Sequence, residues 1–146
     1  MNFKFAEIET YIHATENLDL IIDKILNLLP AECRDEVPIL IEILHGHYGN
    51  PIIRINIFIR NEELTRKFFE KIINDVENID ELSKTLSMRI DSSGNLYLRI
   101  DKQMLIKDKV MLNDTTDDVV RVKFKLGKKN LKNLETFLIS KVKRKA

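Results

Sequence analysis

The chain has 146 residues, 44% of them hydrophobic and 32% charged, with a formal net charge of +1, a length and balance that suit one domain with a real core. No apolar run reaches membrane-spanning length, and Met1–Glu7 lacks a signal-peptide pattern. The single cysteine, Cys33, excludes an internal disulfide, so a cytoplasmic protein with no membrane partner is expected.

Residues 3–13 alternate, with Ala6, Ile8 and Ile12 on one face and Phe3, Phe5, Glu7, Glu9, Tyr11 and His13 on the other, which predicts a strand. Thr15 reads as the N-cap of a helix over 16–29, where Leu18, Ile21, Ile25 and Leu28 recur at helical spacing and Pro30 marks the end. After a connector, the isoleucine-rich runs 39–44 and 52–59 flank His45-Gly46-His47-Tyr48-Gly49-Asn50-Pro51 and read as a hairpin with a long loop. Ile39, Ile41 and Ile43 are expected to face the core, as are Ile53, Ile55, Ile57 and Ile59. Asn61 caps a helix over 62–78 with Leu64, Phe68, Ile72 and Val76 as its buried stripe, and Asp80 opens a shorter piece carrying Leu82 and Leu86.

The turn 91–95 joins 87–90 to 96–100 as a second hairpin, with Leu96, Leu98 and Ile100 inward. Residues 102–113 read as a short turn of helix and then an edge strand, and 114–118 as a polar loop. The last strand puts Val120, Val122, Phe124 and Leu126 inward and Arg121, Lys123 and Lys125 outward. Gly127 breaks it, and Asn130 opens a helix whose apolar stripe includes Leu134, Leu138 and Val142; residues 140–146 read as a flexible basic tail. The whole is a single α+β domain, 1–146, with a mostly antiparallel sheet covered by helices on one face. A βαββα core, beginning as the split β-α-β of ferredoxin-like folds, is followed by a hairpin, a further strand and a C-terminal helix. The alternation leaves an open sheet face carrying Tyr11, His13, Arg54, Asn56, Phe58, Tyr97, Arg99, Arg121, Lys123 and Lys125.

The small net charge hides an asymmetry. From residue 119 onward ten basic residues face the single Glu135, a net of +9, which leaves −8 on residues 1–118. Such an end suits a polyanion, or an internal clamp between the two parts. Phosphates call for Lys and Arg, and unpaired bases for aromatic or guanidinium planes; the open face supplies both, and Lys128 and Lys129 extend its basic stripe. The bland reading is that alternating cations only solubilise an exposed sheet.

The block His45–Pro51, with His13-Ala14-Thr15-Glu16 and Leu98-Arg99-Ile100-Asp101-Lys102-Gln103, resembles an archaeal family of RNA-binding proteins described as exosome-subunit-like. The resemblance runs from Phe3 to about Leu126. It implies an α+β fold similar to the large-subunit ribosomal protein that grips the smallest ribosomal RNA, RNA as partner, and RNA-processing proteins as further partners. With the open face, it places an RNA site on Tyr11, His13, His45, His47, Tyr48, Asn50, Arg54, Tyr97, Arg99, Lys102, Gln103, Arg121, Lys123, Lys125, Lys128 and Lys129, without catalysis, metal or cofactor.

Two other readings stay open. His13, His45 and His47 are a conceivable three-histidine site for a metal-dependent hydrolase, although imidazoles bonded to the backbone of a tight loop are the plainer account. Asp114, Asp117 and Asp118 form a weaker cation candidate. A protein-interaction subunit, its acidic body and basic end joining neighbours, is the non-enzymatic alternative; the oligomeric state is left open by the sequence.

Overall fold

The computed structural model describes residues 2–46, 48–127 and 130–145. Its centre is β1 (Phe5–His13), whose alternation becomes a strict burial pattern: Ala6, Ile8, Thr10 and Ile12 are buried and their neighbours are not. Around it lie β2 (Ile39–His45), β3 (Pro51–Ile59), β4 (Asn95–Asp101) and β5 (Val119–Lys125), in the order β2-β3-β1-β5-β4. Every pairing is antiparallel. β1 and β2 therefore run the same way with β3 between them, which is the expected split β-α-β.

The covering layer holds α1 (Leu18–Leu28), α2 (Glu62–Asp75), α3 (Ile79–Thr85), α4 (Lys102–Ile106) and α5 (Leu131–Lys145). Asn61 caps α2 as expected, its side chain accepting from Leu64 N–H at 3.0 Å. Phe68, Phe69 and Ile72 of α2 pack under the sheet with Leu134 and Leu138 of α5. Phe124 meets Phe69 edge-on at 5.3 Å and Phe68 at 5.2 Å between ring centroids, an arrangement favoured by the ring quadrupoles.

Several expectations need correcting. Phe3 is in the core, 4.6 Å from the Phe69 ring, because β1 begins only at Phe5 and the chain before it turns under the sheet. Asn17, not Thr15, caps α1, and Glu16 turns back to accept the His13 N–H. α2 stops at Asp75, since Val76 leaves the helix to bridge Val110. Residues 87–90 supply only the single bridge Ile90–Leu96, because Leu86–Met88 winds into a 3-10 turn and Arg89 points inward to Asp114. α5 continues to Lys145, so the stretch expected as a tail is helical to that point.

The largest departure is β2. Ile39 is half-buried, but Ile41 and Ile43 are 52% and 66% exposed. They do lie on the helix side, paired with Ile55 and Ile53. β2 is the outermost strand, however, and it projects beyond the helix layer.

Candidate nucleic-acid interface

Register fixes the open face. Tyr11 lies opposite Arg54, Glu9 between Asn56 and Arg121, Glu7 between Phe58 and Lys123. On the far side Lys123 faces Tyr97 and Arg121 faces Arg99. Rows of side chains on neighbouring strands stand close enough to interact directly, and here they divide the face into two halves of different electrostatics.

In the half towards His13, the cations are already partnered. Arg54 donates to Glu9 Oε2 from Nη2 at 2.7 Å and to Glu42 Oε1 from Nη1 at 3.2 Å. The Glu9 hydrogen bond holds this guanidinium more firmly in its charged form. Arg99 and Arg121, like charges opposite each other, share Asp117 at 3.3 and 3.9 Å, and Arg99 also donates to the Thr116 carbonyl.

Among the described residues Lys102 is the most enclosed charge, 2% exposed. Its Nζ donates to Tyr11 O at 2.8 Å and contacts Glu16 Oε1 at 2.9 Å and Asp118 Oδ1 at 2.8 Å. Burial pushes the Asp118 carboxyl up, but hydrogen bonds from Lys102 and Gln103 outweigh it and hold Asp118 below the usual carboxylate range. An ammonium with three acceptors has no donor left for a phosphate. Lys102 thus fastens α4 to the β1–α1 turn and the start of β5, rather than offering the RNA contact expected of it.

In the other half the cations are free of carboxylates. Among the described residues Lys4, Arg60, Lys123 and Lys125 have no carboxylate within 4 Å. Two of them stand over aromatic rings: Lys123 Nζ is 5.8 Å from the Phe5 centroid and 5.9 Å from that of Tyr97, and Arg60 Cζ is 5.8 Å from Phe58, while Lys125 Nζ donates to the Ser93 carbonyl at 3.0 Å. Phe5, Phe58, Arg60 and Lys123 line an open groove with Lys4 and Glu7. Tyr97 is pinned by its hydroxyl, which donates to Asp91 at 2.9 Å and is itself pushed up by that bond. Asp91 also accepts from Asn95 and Ser93, and these bonds, the Asn95 side chain first, hold it far below the ordinary carboxylate value.

A family model described as RNA binding matches residues 6–126. The chain belongs to this RNA-binding family. It is 29% identical to RNA-binding protein PAB1135 of Pyrococcus abyssi over 122 residues, 82% of this chain and 79% of that one. Protein MJ0213 of Methanocaldococcus jannaschii is 32% identical over 124 residues, 81% of this chain and 80% of its own. The crystal structure of protein SSO0741 from Sulfolobus solfataricus, a DUF54 protein, superposes with a TM-score of 0.79 at 30% identity, covering 93% of this chain and 97% of that one.

The blocks that carry the family resemblance gather at one end of the sheet. His13 pairs with Ile52 beside the 45–51 loop, and Asp101 pairs with Val119 beside Asp118. Within the loop Gly46 N–H donates to Asn50 O at 2.8 Å, Gly49 N–H to Gly46 O at 2.9 Å, and Gly49 takes φ +77°, a conformation that favours glycine. Tyr48 is exposed and Asn50 lies at the loop's exit. His47, Lys128 and Lys129 lie outside the described residues. His13 shares the open face with Ile52 and Leu44, whereas His45, paired with Pro51, falls on the opposite face. Among the described residues no three His, Cys, Asp or Glu side chains are placed to hold a metal ion. Asp114, Asp117 and Asp118 answer Arg89, the Arg99–Arg121 pair and Lys102 respectively. Among the described residues no helix is long and apolar enough to cross a membrane.

Lys4, Phe5 and Arg60 were absent from the residues expected to bind, and Phe58 was expected only as part of the face. Their signal was the phase of the strands, since Phe5 and Phe58 share the face of Glu7; what the chain does not spell out is that β1, β3 and β5 bring them to one groove.

Proposed function

We propose that the protein binds single-stranded RNA on the Phe5–Phe58 half of the open sheet face, holding the strand without chemistry upon it. One observation carries this reading: Lys123 and Arg60, which lack carboxylate partners, stand over Phe5, Tyr97 and Phe58, while the cations at the His13 end are neutralised within the protein. Ammonium and guanidinium groups without carboxylate partners, beside the half-buried rings of Phe5 and Phe58 and the exposed ring of Tyr97, suit a backbone whose bases are available for stacking. Membership of the RNA-binding family supports the ligand class.

Titration of labelled single-stranded RNA at several salt concentrations tests the surface. Replacing Lys123 and Lys125 with Gln is expected to weaken binding and to reduce the log–log salt slope by about 1.4, at roughly 0.7 per phosphate contact on single strands. Phe58→Ala should cost about 1–3 kcal/mol of affinity, the usual value of one stacked base, with the salt slope unchanged. Wild-type affinity and slope in the lysine double variant would remove this half of the face from consideration.

A further inference from the structure

The edge of β2 is left open. At the opposite edge β4 is covered: Tyr97 N–H donates to Arg89 O at 2.9 Å, Asp101 N–H to Met111 O at 2.8 Å, and Asn113 N–H to Arg99 O at 2.9 Å. Among the described residues no segment does the same for β2. Leu40, Ile41, Ile43 and Leu44 are all exposed there, on both faces of the strand. Residues 39–45 contain no lysine or proline, and their register with β3 is unbroken by a bulge; these are the usual means of keeping a second strand away.

The strand is also nearly palindromic. About Glu42, Ile41 mirrors Ile43 and Leu40 mirrors Leu44. Gly46 N–H donates to Asn50 O across the hairpin, so the alternation of an antiparallel ladder turns the backbone groups of residues 40, 42 and 44 towards β3. Those of Ile39, Ile41, Ile43 and His45 then point outward. An antiparallel second copy centred on Glu42 sets Ile41 against Ile43 and Leu40 against Leu44, the self-complementarity that a two-fold interface needs. Two Glu42 carboxylates meet at the axis, but each brings Arg54 at 3.2 Å, so the axis holds two ion pairs instead of two bare charges.

We propose that the occupant of this edge is a second copy of the chain, joined β2 to β2 in one continuous ten-stranded sheet. The two-fold axis is normal to the sheet, so the helices of both copies lie on one side and both open faces on the other. This inference is independent of the RNA reading.

The full chain is tested by sedimentation across a dilution series, beside an Ile41→Lys/Ile43→Lys variant whose folding is checked by circular dichroism. The wild type is expected to shift from a 17.1 kDa species towards twice that mass as concentration rises, and the variant to stay monomeric. A cysteine scan fixes the register. Glu42 at the axis is in a non-hydrogen-bonded pair, where Cα atoms stand about 4.5 Å apart, within disulfide reach. Glu42→Cys should therefore cross-link on mild oxidation and Leu40→Cys should not, the native Cys33 being buried and silent. Monomer at every concentration overturns the proposal and leaves the edge to a strand of another protein. Dimers unaffected by the two lysines, or equal cross-linking of both cysteine variants, overturn it as well.

Discussion

Lys102 stands between Asp101 and Gln103, at the start of a stretch that reads as a short turn of helix. Its ammonium is nevertheless closed in by acceptors from residues 11, 16 and 118. Periodicity reports which neighbours share a face, and nothing in it reports a partner about 90 positions away. Removing the cation leaves Glu16 and Asp118 facing each other in a partly buried space, and the buried Glu16 Oε2 already lacks a hydrogen-bond partner. Lys102→Met is therefore expected to lower the unfolding free energy by about 3 kcal/mol in urea titration at pH 7, the low end for breaking a buried ion pair. A loss within experimental error would show that the triad has little structural weight. The pH dependence follows from Asp118, whose folded pKa lies below its unfolded value. Its contribution is present above the unfolded carboxylate pKa of about 3.9 and is lost as pH falls through the folded one. The variant should accordingly show a shallower loss of stability on acidification than the wild type.

β2 and β3 carry the same isoleucine alternation to different ends. Ile55, Ile57 and Ile59 are each 1% exposed, whereas Ile41 and Ile43, on the same side of the same sheet, are open. Phase determines the side to which a residue points, and phase was legible for β1, β3, β4 and β5, as was the Asn61 cap of α2. Coverage depends on how far the helix layer extends, and that is set by packing between segments distant in the chain. Phe3 is the converse case, a residue out of phase with the core that reaches it because the strand starts two positions later. These environments predict opposite responses to truncation. Ile57→Ala should cost about 2–5 kcal/mol by leaving a cavity under the sheet. Ile43→Ala should stay within about 0.5 kcal/mol, as at surface positions generally, when unfolding is measured at high dilution. Equal losses at the two sites would mean that β2 is covered in solution by part of the chain itself.

Across the whole molecule, the acidic body and the basic end meet on the sheet, and they meet unevenly. Arg121 of the basic end is drawn to Asp117, while Lys123 and Lys125, two and four residues on, point into the half where the rings lie. The protein thus limits its own cationic surface, using Glu9, Glu42 and Asp117 to occupy Arg54, Arg99 and Arg121. Sequence composition showed both charge pools but could not show which charges cancel, because cancellation depends on register. Glu9→Gln and Glu42→Gln together with Asp117→Asn release those guanidiniums with little change of shape. Asp117 is almost fully exposed, and exposed ion pairs of this kind contribute little to folding. RNA long enough to run from the Phe5–Phe58 groove towards His13 then gains phosphate contacts. Affinity at low salt should rise, and the log–log slope should steepen by about 2 for three freed cations. A strand of roughly 4 nucleotides, near the lower limit of single-strand site sizes, should gain far less than one of roughly 12, because it fills the groove without reaching the freed arginines. Equal gains for both lengths would point to a general electrostatic attraction, and no gain for either would place the RNA away from this face.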